Sequence, residues 1–307
     1  MARLTAVFQL AANAFTNLKS NDPIRMAAAT AFFTFFALPA IVILLSQLYG
    51  ELLTGNSQWV SGQLFNKLAE LFGAPSARQL KDISQHLQQA QSEGVSIVVF
   101  PIVLLLGSTT LFAIIKNSLN QLWQVKPVVN GHWWYVLLDK LVALGLILFL
   151  GLLFTASLEF QRLGFGHNTP EDDQTNTDYW VRQIEHHTWS VLMLTLWFSM
   201  VFKYLPDIRI HWQAVWVGAF VTGVLVELGE QILDRLLINS PVRYLYGSAG
   251  AIILVLLFVF YSSLILYYGA SFTREYALWK KLDTRPSARS NAYQIRIVDE
   301  QDAESNK

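Results

Sequence analysis

The sequence predicts an all-α polytopic membrane protein, built from six transmembrane helices plus amphipathic helices, and three observations predict it. The 307 residues are 53% hydrophobic and only 14% charged, against roughly 25% charged in an ordinary soluble protein. Six stretches reach the roughly 20 mostly apolar residues that carry a helix across a bilayer, at about 27–49, 95–116, 136–158, 188–205, 212–238 and 246–270. Aromatic residues stand at their ends: Trp133, Trp134 and Tyr135 before the third, Trp212 before the fifth, Tyr267 and Tyr268 closing the sixth. Such rings favour the membrane–water interface.

Before the first span, Leu4, Val7, Phe8, Ala11, Phe15 and Leu18 recur at helical spacing up to Asp22-Pro23, which predicts an amphipathic helix along the membrane surface. The first long apolar run begins only near Ala27, which reads as a span and not as a cleaved leader. That span carries Pro39 late in its length and small residues Ala27, Ala28, Ala29 and Ala31 at its start, a composition that lets helices approach closely.

Between the first two spans, Val60, Leu64, Phe65, Leu68, Leu71 and Phe72 form one apolar stripe. Leu80, Ile83 and Leu87 form another after the break at Gly73-Ala74-Pro75. Together they predict a helical pair over 58–91 outside the membrane. The second span ends in Lys116, Asn117 and Asn120. These are candidates for a polar pathway, although Lys116 is also placed to snorkel and the amides to bond across helices.

Residues 164–178, rich in Gly, Pro and acids, predict an exposed loop. Lys203, Asp207 and Arg209 surround Pro206 in a short turn between the fourth and fifth spans. A membrane domain therefore covers 1–282, and the polar stretch 283–307 is expected to be a disordered tail.

Four segments, "RMAAATAFFTFFALPAI", "NSLNQLWQV", "KYLPDIRIHWQAVWVGAF" and "YGSAGAIILVLLFVFYSSLILYYGASFT", together resemble the YihY/virulence factor BrkB family of bacterial membrane proteins, once labelled ribonuclease BN. The resemblance runs over roughly 20–280. It rests on the Phe-rich first span ending at Pro39, Asn120-x-x-Trp123, Leu205-Pro206-Asp207 and Tyr246-Gly247-Ser248 in that order. It implies a six-span protein of the bacterial inner membrane, with transport or export as the suggested activity. Similar members usually carry Gly-Ala-Glu where this chain has Gly269-Ala270-Ser271.

Charge sets the expected orientation. With an inside N-terminus, the inner segments hold 14 Lys and Arg and the outer ones 7, so both termini are expected in the cytoplasm. Lys and Arg balance Asp and Glu at 22 each, so no global basic field attracts nucleic acid. The chain has no cysteine, which removes thiolate chemistry and Cys-ligated metals. Its six scattered histidines make no ligand spacing, no phosphate-binding Gly-rich loop is present, and neither enzyme chemistry nor a cofactor is expected. The ribonuclease label finds no clustered acids and histidines to support it.

The segment "VELGEQILDR" puts Glu227, Glu230 and Asp234 into the fifth span. At roughly 1.5 Å rise per residue from Trp212 they lie about 22, 27 and 33 Å along it, on one helix face. Carboxylates there are costly, about 2.5–3.5 kcal/mol for Asp at a helix centre, so the face is expected to turn toward protein or water. One reading has the acids hydrogen-bonded to neighbouring helices. The other has Glu227, Glu230 and Asp234 line an outward-opening cavity, with Asn117 and Asn120 at the inner end of the pathway. The resulting expectation is a transporter or exporter of an unknown, lipid-like solute, in contact with the bilayer and with no nucleic-acid partner. The alternative is a non-transporting scaffold or envelope-assembly factor.

Overall fold

A computed structural model describes residues 2–49, 57–72, 74–92, 99–127, 133–160, 176–237, 249–287 and 290–293. Nine helices appear among them: α1 (Ala2–Lys19), α2 (Pro23–Tyr49), α3 (Ser57–Phe72), α4 (Ala74–Ser92), α5 (Val99–Leu122), α6 (Trp133–Phe160), α7 (Asn176–Tyr204), α8 (Trp212–Leu237) and α9 (Ala249–Trp279). Four short strands accompany them: β1 (Val125–Pro127), β2 (Ile208–Arg209), β3 (Arg285–Pro286) and β4 (Ser290–Ala292). The acidic loop of the sequence reading and Tyr246-Gly247-Ser248 lie outside the described residues, apart from the first turn of α7.

Among the described residues, four segments are long and apolar enough to cross a membrane: Pro23–Tyr49, Leu137–Ser157, Trp212–Ile232 and Ile252–Trp279. The expected second and fourth spans form α5 and α7 but are not among those four. Two helices outrun the apolar stretches that predicted them. α5 continues past 116 to Leu122, where Asn120 is buried and paired with Asp207 and Leu119 and Leu122 are fully buried, and α9 continues past 270 to Trp279 with Ala277 fully buried.

The helix ends follow from backbone chemistry. Asp22 takes a positive φ of 53°, a conformation Asp tolerates better than most residues, and Pro23 occupies the first position of α2, where its missing N–H costs nothing. Lys281 takes φ 52° and Leu282 N–H donates to Ala277 O at 2.9 Å, the left-handed closure that satisfies a terminal carbonyl.

Packing is tightest where α8 and α9 run antiparallel. Both carry Gly-x-x-x-Thr: Gly218 and Thr222 on α8, Gly269 and Thr273 on α9. A Cβ on Gly218 would overlap Thr273 Oγ1 and lie 2.8 Å from its Cβ, while one on Gly269 would overlap Thr222 Oγ1. Each hydroxyl turns back to its own helix, with Thr222 Oγ1 donating to Gly218 O and Thr273 Oγ1 to Gly269 O, both at 2.7 Å. Glycine lets the backbones close and the threonines fill the space, with no polar group left unpaired.

Around this hairpin, α2 packs on α5 and α9, α7 on α8, and α1 crosses α9. α1 uses Leu10, Ala14 and Leu18 against Phe272 and its neighbours. Of the expected apolar stripe, Leu18 is buried and Phe8 and Phe15 are exposed. The helix has two apolar faces, and the smaller side chains take the tight contact.

At the opposite end, α3 and α4 cover the last turns of α2 and the first of α9, through Val60, Phe65, Leu80, Val42 and Val255. On α4 the inward face is Ala77, Leu80 and Ser84, not the expected Leu80–Ile83 stripe, since Ile83 is exposed. Ser76, Ala77 and Ser84 are buried along with Leu80, a face that apolar periodicity alone does not mark.

The expected disordered tail is corrected over its first stretch. β4 pairs antiparallel with β1 (Val125↔Ala292), and β3 with β2 (Ile208↔Pro286). Residues 285–287 and 290–292 therefore strap the loops after α5 and before α8. Unpaired loop N–H and C=O groups supply the edges that hold it.

Gly218→Ala and Gly269→Ala should each destabilise the purified protein by about 1–3 kcal/mol through overpacking, read as SDS-titrated unfolding. Adding Thr273→Ala to Gly218→Ala should recover part of the loss, because it removes the overlapping hydroxyl. No recovery would place the strain elsewhere.

Candidate functional site

Two polar clusters sit at opposite ends of the bundle. The first is centred on Asp207, in the turn that Pro206 forces between α7 and α8. Asp207 is 7% exposed. Its Oδ1 lies 2.9 Å from Lys116 Nζ, and its Oδ2 accepts from Asn120 Nδ2 at 2.9 Å. Its own backbone N–H donates to Asn120 Oδ1 at 2.7 Å. Lys116 and Asn120 are one turn apart on α5, so both reach the same carboxylate.

Asp207 O also accepts from Ser290 Oγ at 2.5 Å and from Ser287 N–H at 3.0 Å, which ties the C-terminal strap to the same turn. Lys116 Nζ reaches further, to Asp139 Oδ1 of α6 at 2.7 Å. The snorkelling reading of Lys116 gives way to a buried ion pair. A buried carboxylate needs such partners to remain charged.

Beside this cluster a cavity of about 250 Å³ opens between α5 and α6. Asn117 and Lys140 line it together with Thr109, Phe112, Lys116 and Asp139. Of the residues read from the sequence, Asn117 thus faces the cavity, while Asn120 acts one shell behind it by fixing Asp207.

The second cluster holds Glu227, also 7% exposed. Ser190 Oγ donates to Glu227 Oε2 at 2.5 Å, and His187 Nδ1 lies 2.6 Å from Oε1. α7 and α8 come together here because Gly223 leaves room, a Cβ at that position meeting Thr195 Oγ1 at 3.1 Å. Serine and histidine bond different oxygens of one carboxylate, so the imidazole is not placed to take the serine proton. The arrangement holds an acid; it does not activate a nucleophile.

Glu230 is half-buried one turn further along, and Asp234 lies in α8 with its side chain outside the described residues. His187 was missed by sequence reasoning. It stands just ahead of the expected fourth span, and only the antiparallel register of α7 on α8 brings it to Glu227.

Ser271 is fully buried. Its Oγ donates to Ala14 O at 2.7 Å and accepts from Asn17 Nδ2 at 2.8 Å, which fastens α1 to α9.

Long apolar helices with aromatic residues at their ends together define an all-α polytopic membrane protein. The chain belongs to the virulence factor BrkB family, whose pattern matches residues 14–294. It is similar to the UPF0761 membrane protein of Teredinibacter turnerae, 23% identical over 262 residues, covering 82% of this chain and 56% of that protein. The UPF0761 membrane protein of Saccharophagus degradans is 22% identical over 264 residues, covering 82% and 56%. That of Glaesserella parasuis is 23% identical over 204 residues, covering 65% and 68%. The chain spans about half the length of the first two relatives. No solved structure matches it.

Lys116→Met should cost about 3–5 kcal/mol, since it strands Asp207 as an uncompensated buried charge. Adding Asp207→Asn should return most of that. Simple additivity in SDS-titrated unfolding would mean that the pairing does not hold the turn. In the same assay Glu227→Ala should cost about 1–3 kcal/mol by leaving Ser190 and His187 without their acceptor. Glu227→Gln, which keeps a carbonyl oxygen for Ser190, should cost less.

Proposed function

We propose that the protein is a transporter or exporter of an amphiphilic solute in the bacterial inner membrane, with six spans and both termini in the cytoplasm. In this reading α5 and α7 complete the six, and the clusters of Asp207 and Glu227 face the inner and outer sides. The partners are the lipid bilayer and a single solute; no nucleic acid and no catalytic step are involved. One observation carries the reading: a cavity with charged walls beside the buried Lys116–Asp207 pair. Charged side chains lining a hollow in a membrane domain cost free energy that packing alone gives no reason to accept.

Glu227, Glu230 and Asp234 then belong to the outer half of the path, and Asn117 and Asn120 to its inner end. The second reading, a scaffold that does not transport, draws support from Glu227. Both of its oxygens are satisfied within the α7–α8 contact, as they would be in a dry interface.

Because the chain has no cysteine, single thiols separate the two. Thr109→Cys and Asn117→Cys report the cavity, Ser190→Cys reports the Glu227 cluster, and Leu228→Cys is the control on an exposed apolar position. A membrane-impermeant maleimide is applied to inside-out and right-side-out vesicles. Transport predicts that position 109 labels from both sides and position 190 from the outside, with 228 silent. Labelling of 109 from one side only, with 190 unreactive, removes the transport reading and leaves the scaffold.

A further inference from the structure

Both acids on the walls of the α5–α6 cavity are engaged within the protein. Asp207 accepts from Asn120 and pairs with Lys116 at 2.9 Å, while Asp139 pairs with the same ammonium at 2.7 Å and has a further contact besides. Lys116, shared between two carboxylates, has no charge left for a ligand.

Other lysines at this end of the bundle are also engaged. Lys203 Nζ donates to Ile210 O at 2.6 Å and lies 5.1 Å from the Trp212 ring, and Lys126 Nζ lies 5.1 Å from the Tyr293 ring. Lys140 is different. It lines the cavity from α6, is half-buried, and among the described residues makes no hydrogen bond, ion pair or ring contact. Asn117 lines the cavity from α5, and its exposed amide makes no hydrogen bond among those residues either. The unmatched charge of this cavity is therefore positive, with a free amide donor on the same walls.

The location adds a second condition. Lys140 falls in the first turn of the candidate span Leu137–Ser157, the level at which basic side chains meet lipid phosphates. Leu137, Leu138 and Leu141 around it on α6 are exposed. On α5 the lining reaches from Lys116 back through Phe112 to Thr109, seven residues and roughly 10 Å along the helix. A single positive charge bordered by apolar side chains fits the anionic end of an amphiphile.

We propose that this cavity binds the phosphodiester of an anionic lipid headgroup, with the Lys140 ammonium and the Asn117 amide donating to its unesterified oxygens. One unmatched lysine answers one negative charge, which is the charge of a phosphodiester. A headgroup that also carries an ammonium brings another cation toward Lys140 and Lys116 and finds both aspartates already engaged. The assignment deepens the transport reading, since it rests on that reading for movement and supplies the class of solute. Binding itself stands or falls separately.

The test uses the purified full chain in detergent, with bound lipid counted by native mass spectrometry. The probes are phosphatidylglycerol, phosphatidylcholine with the same acyl chains, and water-soluble glycerophosphoglycerol. Phosphatidylglycerol should bind about fivefold more tightly than phosphatidylcholine, the size expected of one basic side chain meeting an anionic lipid. Lys140→Gln should remove that preference and Lys140→Arg should keep it. Lys126→Gln, which removes a lysine of the same end that does not line the cavity, should leave the preference unchanged. Unfolding midpoints report whether each variant is folded. Should Lys140→Gln be unfolded, Asn117→Asp at an exposed position takes its place, because a new carboxylate there repels the phosphodiester and should also remove the preference.

Equal affinity for the two lipids in the unaltered protein overturns the proposal. So does a preference that survives in a folded Lys140→Gln protein, or one that Lys126→Gln removes equally. Competition by glycerophosphoglycerol at concentrations comparable to the lipid assigns the site to a free phosphodiester, with the same recognition chemistry, and failure to compete assigns it to the lipid. A preference for phosphatidylglycerol together with one-sided labelling at 109 keeps this site and removes transport; two-sided labelling without the preference does the reverse.

Discussion

A carboxylate withdrawn from water is tolerated only while its charge and its hydrogen-bonding capacity are met, and Asp207 is where this chain meets that condition. Its side chain draws on Lys116 and Asn120 of α5, and its backbone oxygen draws on Ser287 and Ser290 of the C-terminal strap. Through Lys116 the same network reaches Asp139 on α6. Residues far apart in sequence are thereby held at one end of the bundle around one acid.

The other acid, Glu227, is handled differently. It is satisfied within a single pair of adjacent helices, by a serine and a histidine less than one turn apart on α7. The Asp207 network couples α5, α6, the α7–α8 turn and the strap, whereas both oxygens of Glu227 are met from α7.

How much was legible in the sequence follows from which physical signal each feature leaves. Long apolar helices leave composition, so the helices that span or border the membrane were readable, with their ends misjudged wherever a polar residue was paired inside. Lys116 and Asn120 looked like the end of a span, yet α5 runs through them because Asp207 supplies what water would have supplied. The Asp22-Pro23 break and the Pro206 turn were readable because proline acts locally. His187 and the strap were not. Each depends on a partner at a sequence distance that no periodicity encodes, and the strap residues are polar enough to resemble a free tail. On α1 the helical spacing was readable, while the contact of Leu10 and Ala14 with α9 was not, because it lies outside the apolar stripe.

The reciprocal fit of Gly218 with Thr273 and Gly269 with Thr222 has a mechanical meaning. A helix that carries both a peg and a socket, facing a neighbour that carries the matching socket and peg, resists sliding and rolling alike, because either movement drives a threonine into backbone. α8 and α9 are thus fused into a single strut. Any change of shape in this membrane domain has to pass through its less interlocked seams, and the seam between α5 and α6 is already parted at one end by the cavity and closed there by a single lysine.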